Sequence, residues 1–434
     1  QKLRNTDWYL MTVVDSQLVL PSLATIDDFD NLWGYIDKTT IFTGLIIFTI
    51  LLWMIFILMV KINLSANYLW LSSLLISSVF LSGTLFIWSY FYNTYMKDPV
   101  VEKSITTQAS IKKIVNEYSL QSLQEHKAPP IFIPTSLFIQ SIEFNTAYNI
   151  NITGYIWQKY PLDLDINYGV VFPESETIDF TESYRYEENG YLTIGWYFEG
   201  VFREKFNYLH YPFDRQLVWI RIWHANFERN VILTPMVESY ENINPNSLAG
   251  LEKEFVINGW TIEKTFFDFR TNSYNTNFGM PRHYSKDNRP ELYFNISLRR
   301  NFIDPFISYL FPVMVVLLML FGVLITTWSK NASIEDLQFS VSTVLSSCSA
   351  LFFVSLISHA QLRSHIATNQ MIYLEYFFLA CYVMILLVVL NAILLSLQLK
   401  WKILTYKENI LPKVCFWPLL LGVYFFITLI IYSE

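Results

Sequence analysis

Six apolar stretches, each long enough to cross a lipid bilayer as a helix, constrain this chain more than any other feature. They run Ile41 to Lys61, Leu69 to Tyr92, Ile303 to Trp328, Ile334 to Ile357, Ile372 to Leu397 and Ile410 to Tyr432. A helix rising about 1.5 Å per residue needs about 20 residues to span a hydrocarbon core about 30 Å thick. Between the second and third stretches, Asn93 to Asn301 is polar and holds no such span. With 53% apolar and only 15% charged residues, the chain is too apolar for one soluble domain. The predicted plan is an N-terminal segment (1–40), two membrane helices (41–92), a linker (93–130), a domain outside the bilayer (131–300) and four more helices (301–434).

Lysine and arginine in short loops favour the cytoplasmic side of a membrane. The loop after Leu397 carries Lys400, Lys402, Lys407 and Lys413 against Glu408 alone, so it is expected inside. Counting back through an even number of crossings puts the loop between Trp328 and Ile334, with Lys330, inside as well. The large domain and the N-terminus are then both expected outside.

That domain reads as β. Runs such as GYIWQKY, GYLTIGWYF, QLVWIRIWH, EFVINGWTI and ELYFNISLR alternate bulky and polar residues and are bounded by Asn, Gly, Pro and Asp turns. Ahead of it, Ile111, Ile114, Val115 and Tyr118 recur at helical spacing, which predicts a short amphipathic helix over Thr106 to Gln124. The net charge is -7 and no basic patch stands out, which argues against a nucleic-acid partner. Cys348, Cys381 and Cys415 each lie within an apolar run and read as buried free thiols. The six histidines are scattered, with no HExxH, P-loop or GxSxG pattern. The expectation is therefore no enzyme, no cofactor and no metal.

The run Tyr211-Pro212-Phe213-Asp214-Arg215-Gln216 resembles the Y/F-P-F-D-x-Q hallmark of pentameric ligand-gated ion channels, the Cys-loop receptor superfamily. Neither neighbour is cysteine, as in the prokaryotic-type branch that lacks the loop disulfide. Downstream, Trp260, the run ELYFNISLRRNF and the prolines Pro305 and Pro312 resemble the last strands and first pore-domain helix of that family. The resemblance covers about residues 132 to 432. It implies an extracellular immunoglobulin-like β-sandwich followed by a four-helix transmembrane bundle, here with two extra N-terminal helices. It also implies a coupling point formed by Pro212, Phe213, Asp214 and Arg300, in which the loop Leu209 to Gln216 touches the short outer linker His359 to Gln370, Pro212 and Phe213 pack against that linker and Arg300 anchors the junction.

Asn331 to Ala360 resembles the pore-lining helix of the family. Glu335, Gln338, Ser342, Leu345, Ser349, Phe352 and Leu356 alternate spacings of three and four, so they share one face. Acid, amide and hydroxyl side chains are costly against lipid and tolerable beside water, which suits a water-lined pore. In a homopentamer Glu335 would form an acidic ring selecting monovalent cations, while Leu345 and Phe352 would form apolar constrictions. Between Ile131 and Arg300 there are 21 acids and 15 bases, which fits a cation-attracting vestibule. The family binds its small-molecule agonist in an aromatic box between subunits, and the matching candidates are Tyr155, Phe227, Tyr274, Phe278 and Tyr284. The agonist is unknown. The expected location is a cell membrane crossed several times, the bacterial inner membrane, with the β-domain in the periplasm. The two leading helices are expected on the lipid side of the bundle, away from the pore.

Asn5 to Leu23 resembles the last strand and exit of a Cache-type periplasmic sensor domain. The alternative this raises is a membrane-embedded sensor that signals to a separate cytoplasmic partner. The longest loop expected inside is only about a dozen residues, too short for an output domain.

Overall fold

The computed structural model describes residues 38–61, 65–94, 103–105, 107–124, 129–226, 229–279, 289–327, 334–397, 406–407 and 409–433. Asn5 to Leu23 lies outside them. The helices are α1 (Lys38–Lys61), α2 (Ala66–Asn93), α3 (Gln108–Gln124), α4 (Ile303–Thr326), α5 (Ile334–Ile366), α6 (Glu375–Ser396) and α7 (Ile410–Ser433). Helices α2, α4, α6 and α7 and residues Val341–Ile366 of α5 are long and apolar enough to span a membrane, so this is a multi-pass membrane protein. The first expected span, Ile41 to Lys61, falls within α1.

The strands are β1 (Lys103–Ile105), β2 (Ile131–Phe144), β3 (Asn149–Pro161), β4 (Val170–Val171), β5 (Ser175–Glu188), β6 (Tyr191–Arg203), β7 (Arg215–His224), β8 (Val231–Pro235), β9 (Trp260–Thr271) and β10 (Pro290–Arg300). They form two five-stranded sheets, ordered β1-β9-β10-β7-β4 and β5-β6-β3-β2-β8. In β7 the alternation expected from the sequence buries Val218, Ile220 and Ile222 and leaves Trp219, Arg221 and Trp223 half-buried on the other face. Leu248 to Glu252 runs beside β2, where Ile139 N donates to Gly250 O at 2.8 Å, and Thr265 Oγ1 on β9 donates to Ala249 O at 2.8 Å. Gly250 has φ +80, and a Cβ there would sit 3.1 Å from both Leu137 O and the Phe294 ring. Only glycine fits that conformation and that approach.

Two boundaries differ from expectation. Residues 93–130 are more than a linker, because β1 pairs with β9 and Ile105 is fully buried. Three residues are too few to carry a periodic signature. Helix α5 continues to Ile366, nine residues past the expected Ile357. The residues His359 to His365 look polar, yet Leu362 and Ile366 fall on the buried face begun by Val344, Cys348, Leu351 and Ser355. Ala367 then takes a left-handed φ of +48 and ends the helix. Helix α4 includes a π-helical stretch at Phe306–Leu310, just before Pro312, whose missing N–H interrupts the regular bonding ladder.

By compactness the chain falls into two units, residues 1–87, 327–333 and 394–434 in one and 88–326 with 334–393 in the other. In the first, α2 packs closely on α7. Ser73 Oγ donates to Val414 O at 2.6 Å, and a Cβ on Gly83 or Gly422 would meet the rings of Phe425 and Phe80. Small residues that let backbones approach are how helices associate in lipid, where burial from water supplies no drive.

Candidate functional site

Three features in the second unit hold the chemistry. The first is the loop Leu209 to Gln216. Arg300 Nε donates to Asp214 Oδ1 at 2.6 Å and Nη2 to Oδ2 at 2.9 Å, a two-pronged pair. The guanidinium lies 4.0 Å from the Trp260 ring centroid and 4.7 Å from that of Tyr211. Burial alone would push Arg300 down, but the Asp214 carboxylate outweighs it and holds the cation above its ordinary value. Gln216 Nε2 donates to Asp214 Oδ2 at 2.8 Å and to Asn207 O at 2.7 Å, so the buried amide locks the loop. The Tyr211-Pro212 peptide is cis and Pro212 is buried.

This loop touches the segment that follows α5. Tyr373 N donates to Leu209 O at 2.8 Å, and the hydroxyls of Tyr148 and Thr368 lie 3.3 Å apart. The main-chain contact falls three residues beyond the expected stretch, His359 to Gln370, because α5 takes up residues assigned to the linker. The Phe213 ring stacks on Phe302 at 4.8 Å and meets Trp88 at 5.2 Å. Trp88 Nε1 in turn donates to Tyr373 Oη at 2.7 Å. Behind it the buried Glu375 carboxylate accepts from Ile372 N at 2.9 Å and from Arg363 Nη1 at 2.9 Å.

Sequence reasoning placed the end of α2 but missed what holds it. Arg215 donates from Nη1 to Phe91 O and from Nη2 to Tyr92 O, both at 2.8 Å, capping the carbonyl end of that helix with a cation. Its Nε donates to Glu263 at 2.9 Å. Arg299 sits 4.6 Å from the Tyr92 ring centroid. No spacing signal links residues more than 120 positions apart; the only hint was an arginine at the free position of the loop motif.

The second feature is an aromatic cluster at the far end of β7. Trp223, Tyr274 and Phe278 make edge-on contacts, with centroid distances of 6.0, 6.2 and 5.4 Å. Tyr274 Oη donates to Glu291 Oε1 at 2.6 Å and accepts from Arg221 Nη1 at 2.9 Å, while Arg221 also pairs with Glu174. Burial, and then the Glu291 carboxylate, pushes the Tyr274 hydroxyl far above its ordinary value, so it remains a donor. Of the expected ligand residues the structure brings together Tyr274 and Phe278. Tyr155 lies in the other sheet, against Tyr197 at 5.4 Å. Phe227 and Tyr284 lie outside the described residues. Trp223 was overlooked, although its alternation with Trp219 and Arg221 along β7 could have revealed it.

The third feature is α5. Ser342, Leu345, Ser349, Phe352 and Leu356 lie on a face that the rest of the chain leaves uncovered, with Leu345 at 50% and Phe352 at 37% exposure against 4% for Val344 and 1% for Cys348. Phe352 reaches Tyr382 on α6 at 5.3 Å. Glu335 and Gln338 fall within α5, but their side chains lie outside the described residues. Among the described residues no three His, Cys, Asp or Glu gather to hold a metal.

Set against known proteins, the chain matches no family model, and no curated protein matches it. What stands plainly is a multi-pass membrane protein that carries a domain of two β-sheets.

Proposed function

We propose that the chain is a subunit of a homopentameric ligand-gated ion channel of the Cys-loop type, prokaryotic branch, selective for monovalent cations and opened by a small molecule on the β-domain. In this reading the two sheets form the immunoglobulin-like sandwich outside the membrane, in the periplasm of a bacterial cell. Helices α4 to α7 form the four-helix bundle, and α5 lines the pore.

The observation that carries the reading is the junction. The Asp214–Arg300 pair ties the loop to the end of β10, three residues before α4 begins, and Leu209 O meets Tyr373 N in the segment between α5 and α6. A displacement of the sheets would thus reach both ends of the α4–α5 pair through short, directional bonds. A two-state element that both sites can bias is what coupling requires. Charges paired inside one subunit suit a lever, and an uncovered stripe of hydroxyl and apolar side chains suits a lumen. The same junction grips α2 through Arg215, so the extra helices have a mechanical path to the gate.

Reconstitution into planar bilayers tests the proposal. Ligand-dependent unitary currents that reverse toward the sodium potential in asymmetric sodium chloride are expected, with a particle mass of five chains. A monomeric particle, or silence under every ligand class and pH, would sink it.

A further inference from the structure

A tryptophan at the outer end of a membrane helix ordinarily anchors that helix, with its ring among lipid and its N–H at the head groups. Trp88, just over one turn before the end of α2, is used differently. Its Nε1 donates to Tyr373 Oη at 2.7 Å, and its ring meets those of Phe213 at 5.2 Å, Phe377 at 6.0 Å and Phe302 at 6.2 Å. These partners come from the loop Leu209 to Gln216, the lead-in to α4, the segment before α6 and α6 itself. One side chain of α2 thus touches each part of the coupling junction.

Tyr373 gives that contact its consequence. It is fully buried, and its main-chain N–H is the donor to Leu209 O at 2.8 Å. A single residue therefore receives the indole on its side chain and the loop on its main chain. Helix α2 runs unbroken from Ala66 to Asn93, and its residues from Trp88 onward belong to the second unit. Each turn of an α-helix is bonded to the next, so an axial shift or a rotation of α2 is carried to Trp88. Arg215 holds the carbonyls of Phe91 and Tyr92, which ties the same last turns to the start of β7.

We propose that the outer end of α2 is a second input to the coupling junction, with Trp88 as the positioning residue that turns a displacement of α2 into movement of Tyr373 and Phe213. The two leading helices are then a regulatory module as well as an anchor. When α2 shifts, Trp88 moves Tyr373 against Leu209, so the loop and the start of α6 respond together. The consequence for a gate rests on the channel reading; the coupling of α2 to Tyr373 does not.

The test perturbs α2 away from the junction. A Cβ on Gly83 would lie 2.5 Å from the Phe425 ring of α7, so Gly83→Ala presses the two helices apart within the first unit and alters no junction residue. Hydrogen exchange of the peptide holding Tyr373 is followed in the purified full chain in detergent. Gly83→Ala is expected to change that exchange about twofold or more, the lower end of what residues along a coupled path contribute. In a Trp88→Leu background the same substitution is expected to leave it unchanged, because non-additivity separates a relay from an independent packing contact. If Gly83→Ala fails to fold, Gly422→Ala, whose Cβ would lie 3.2 Å from the Phe80 ring, displaces the same pair from the other side. If Trp88→Leu fails to fold, Trp88→Phe keeps a ring and removes the N–H to Tyr373, and Tyr373→Phe should blunt the response equally. Additive effects in the two backgrounds, or a parent whose Tyr373 exchange ignores Gly83→Ala, overturn the proposal. In planar bilayers with sodium chloride and no added ligand, Gly83→Ala should shift the resting open probability of the parent but not of Trp88→Leu, with the reversal potential unchanged. Silent bilayers beside non-additive exchange count against the channel and leave the relay standing. A conducting channel with additive effects removes the relay and leaves the channel.

Discussion

The junction around Asp214 and the exposed stripe of α5 treat polarity in opposite ways. At the junction the main charges are answered within the same chain: Asp214 by Arg300, Glu263 by Arg215, Glu375 by Arg363. On α5, Ser342, Leu345 and Ser349 face away from the buried side of their own helix and are left uncovered by the chain. The first region is complete in one copy. The second is a face awaiting water or other copies. Stability should accordingly be concentrated at the junction and conduction at the stripe, and substitutions can break that division.

The largest effect is expected from Arg300→Gln. It strands the Asp214 carboxylate, 1% exposed, without its cation, and breaking a buried pair from one side costs about 3 to 5 kcal/mol. Thermal unfolding in detergent should show it, and Arg300→Gln combined with Asp214→Asn should recover part of the loss. Equal losses in the single and double variants would mean that the pair contributes little.

Glu204 sharpens the same side of the comparison, because it is a buried acid that no described cation pairs with. Its carboxylate oxygens accept only from Trp219 N, at 3.3 and 3.2 Å, and burial raises its pKa well above the ordinary carboxylate value. The folded state therefore holds the proton to a higher pH than the unfolded chain does. The stability Glu204 contributes is full below the ordinary carboxylate range and is lost as pH rises toward the folded pKa, by about 1.4 kcal/mol per unit within that window. Tm measured from about pH 5 upward should fall in the parent, and Glu204→Gln should flatten the fall. A parallel profile in the variant would assign the slope to other groups.

Arg215→Gln comes next. It leaves the Asp214–Arg300 pair intact but uncaps α2, at about 1 to 2 kcal/mol for hydrogen bonds from a cation to two carbonyls, and leaves Glu263 with Arg299 at 3.7 Å in place of its closer partner. If α2 feeds the gate, the variant should shift ligand sensitivity in bilayer recordings without altering ion selectivity. Loss of stability alone, with identical currents, would make the contact a structural tether.

How much of this was legible follows from distance along the chain. Asp214 and the loop were readable because six adjacent residues carry the pattern, and the spans because apolar runs are local. That Asp214 and Arg300 both belong to the junction came only through resemblance, and that they pair was not read at all. The grip of Arg215 on Phe91 and Tyr92, the bond from Trp88 to Tyr373 and the gathering of Trp223 with Tyr274 join residues dozens to hundreds of positions apart. No periodicity reports such contacts. The end of α5 was misplaced for a related reason: hydropathy falls at Ser358, while the buried positions Leu362 and Ile366 continue at helical spacing.

The stripe supplies the smallest effects on stability. Leu345→Ser alters a half-exposed side chain and should cost less than about 0.5 kcal/mol, yet raise resting current by wetting an apolar ring. Glu335, on the same helical face in the sequence, poses the finer question. An acid in the first turn of a helix interacts favourably with unpaired N–H groups, and α5 begins at Ile334, so the residue has a structural role available at once. Removing that role costs about 1 kcal/mol or less and leaves relative permeability alone. A ring of acids at a narrow mouth does something else, because the permeating ion meets a charge there that solvent only partly screens. Glu335→Gln removes the charge and keeps the shape. Reversal potentials in asymmetric sodium chloride should then move away from the sodium potential, while Tm stays within the capping loss. An unchanged reversal potential would reduce Glu335 to a helix cap and leave the cation preference to be sought elsewhere along the stripe.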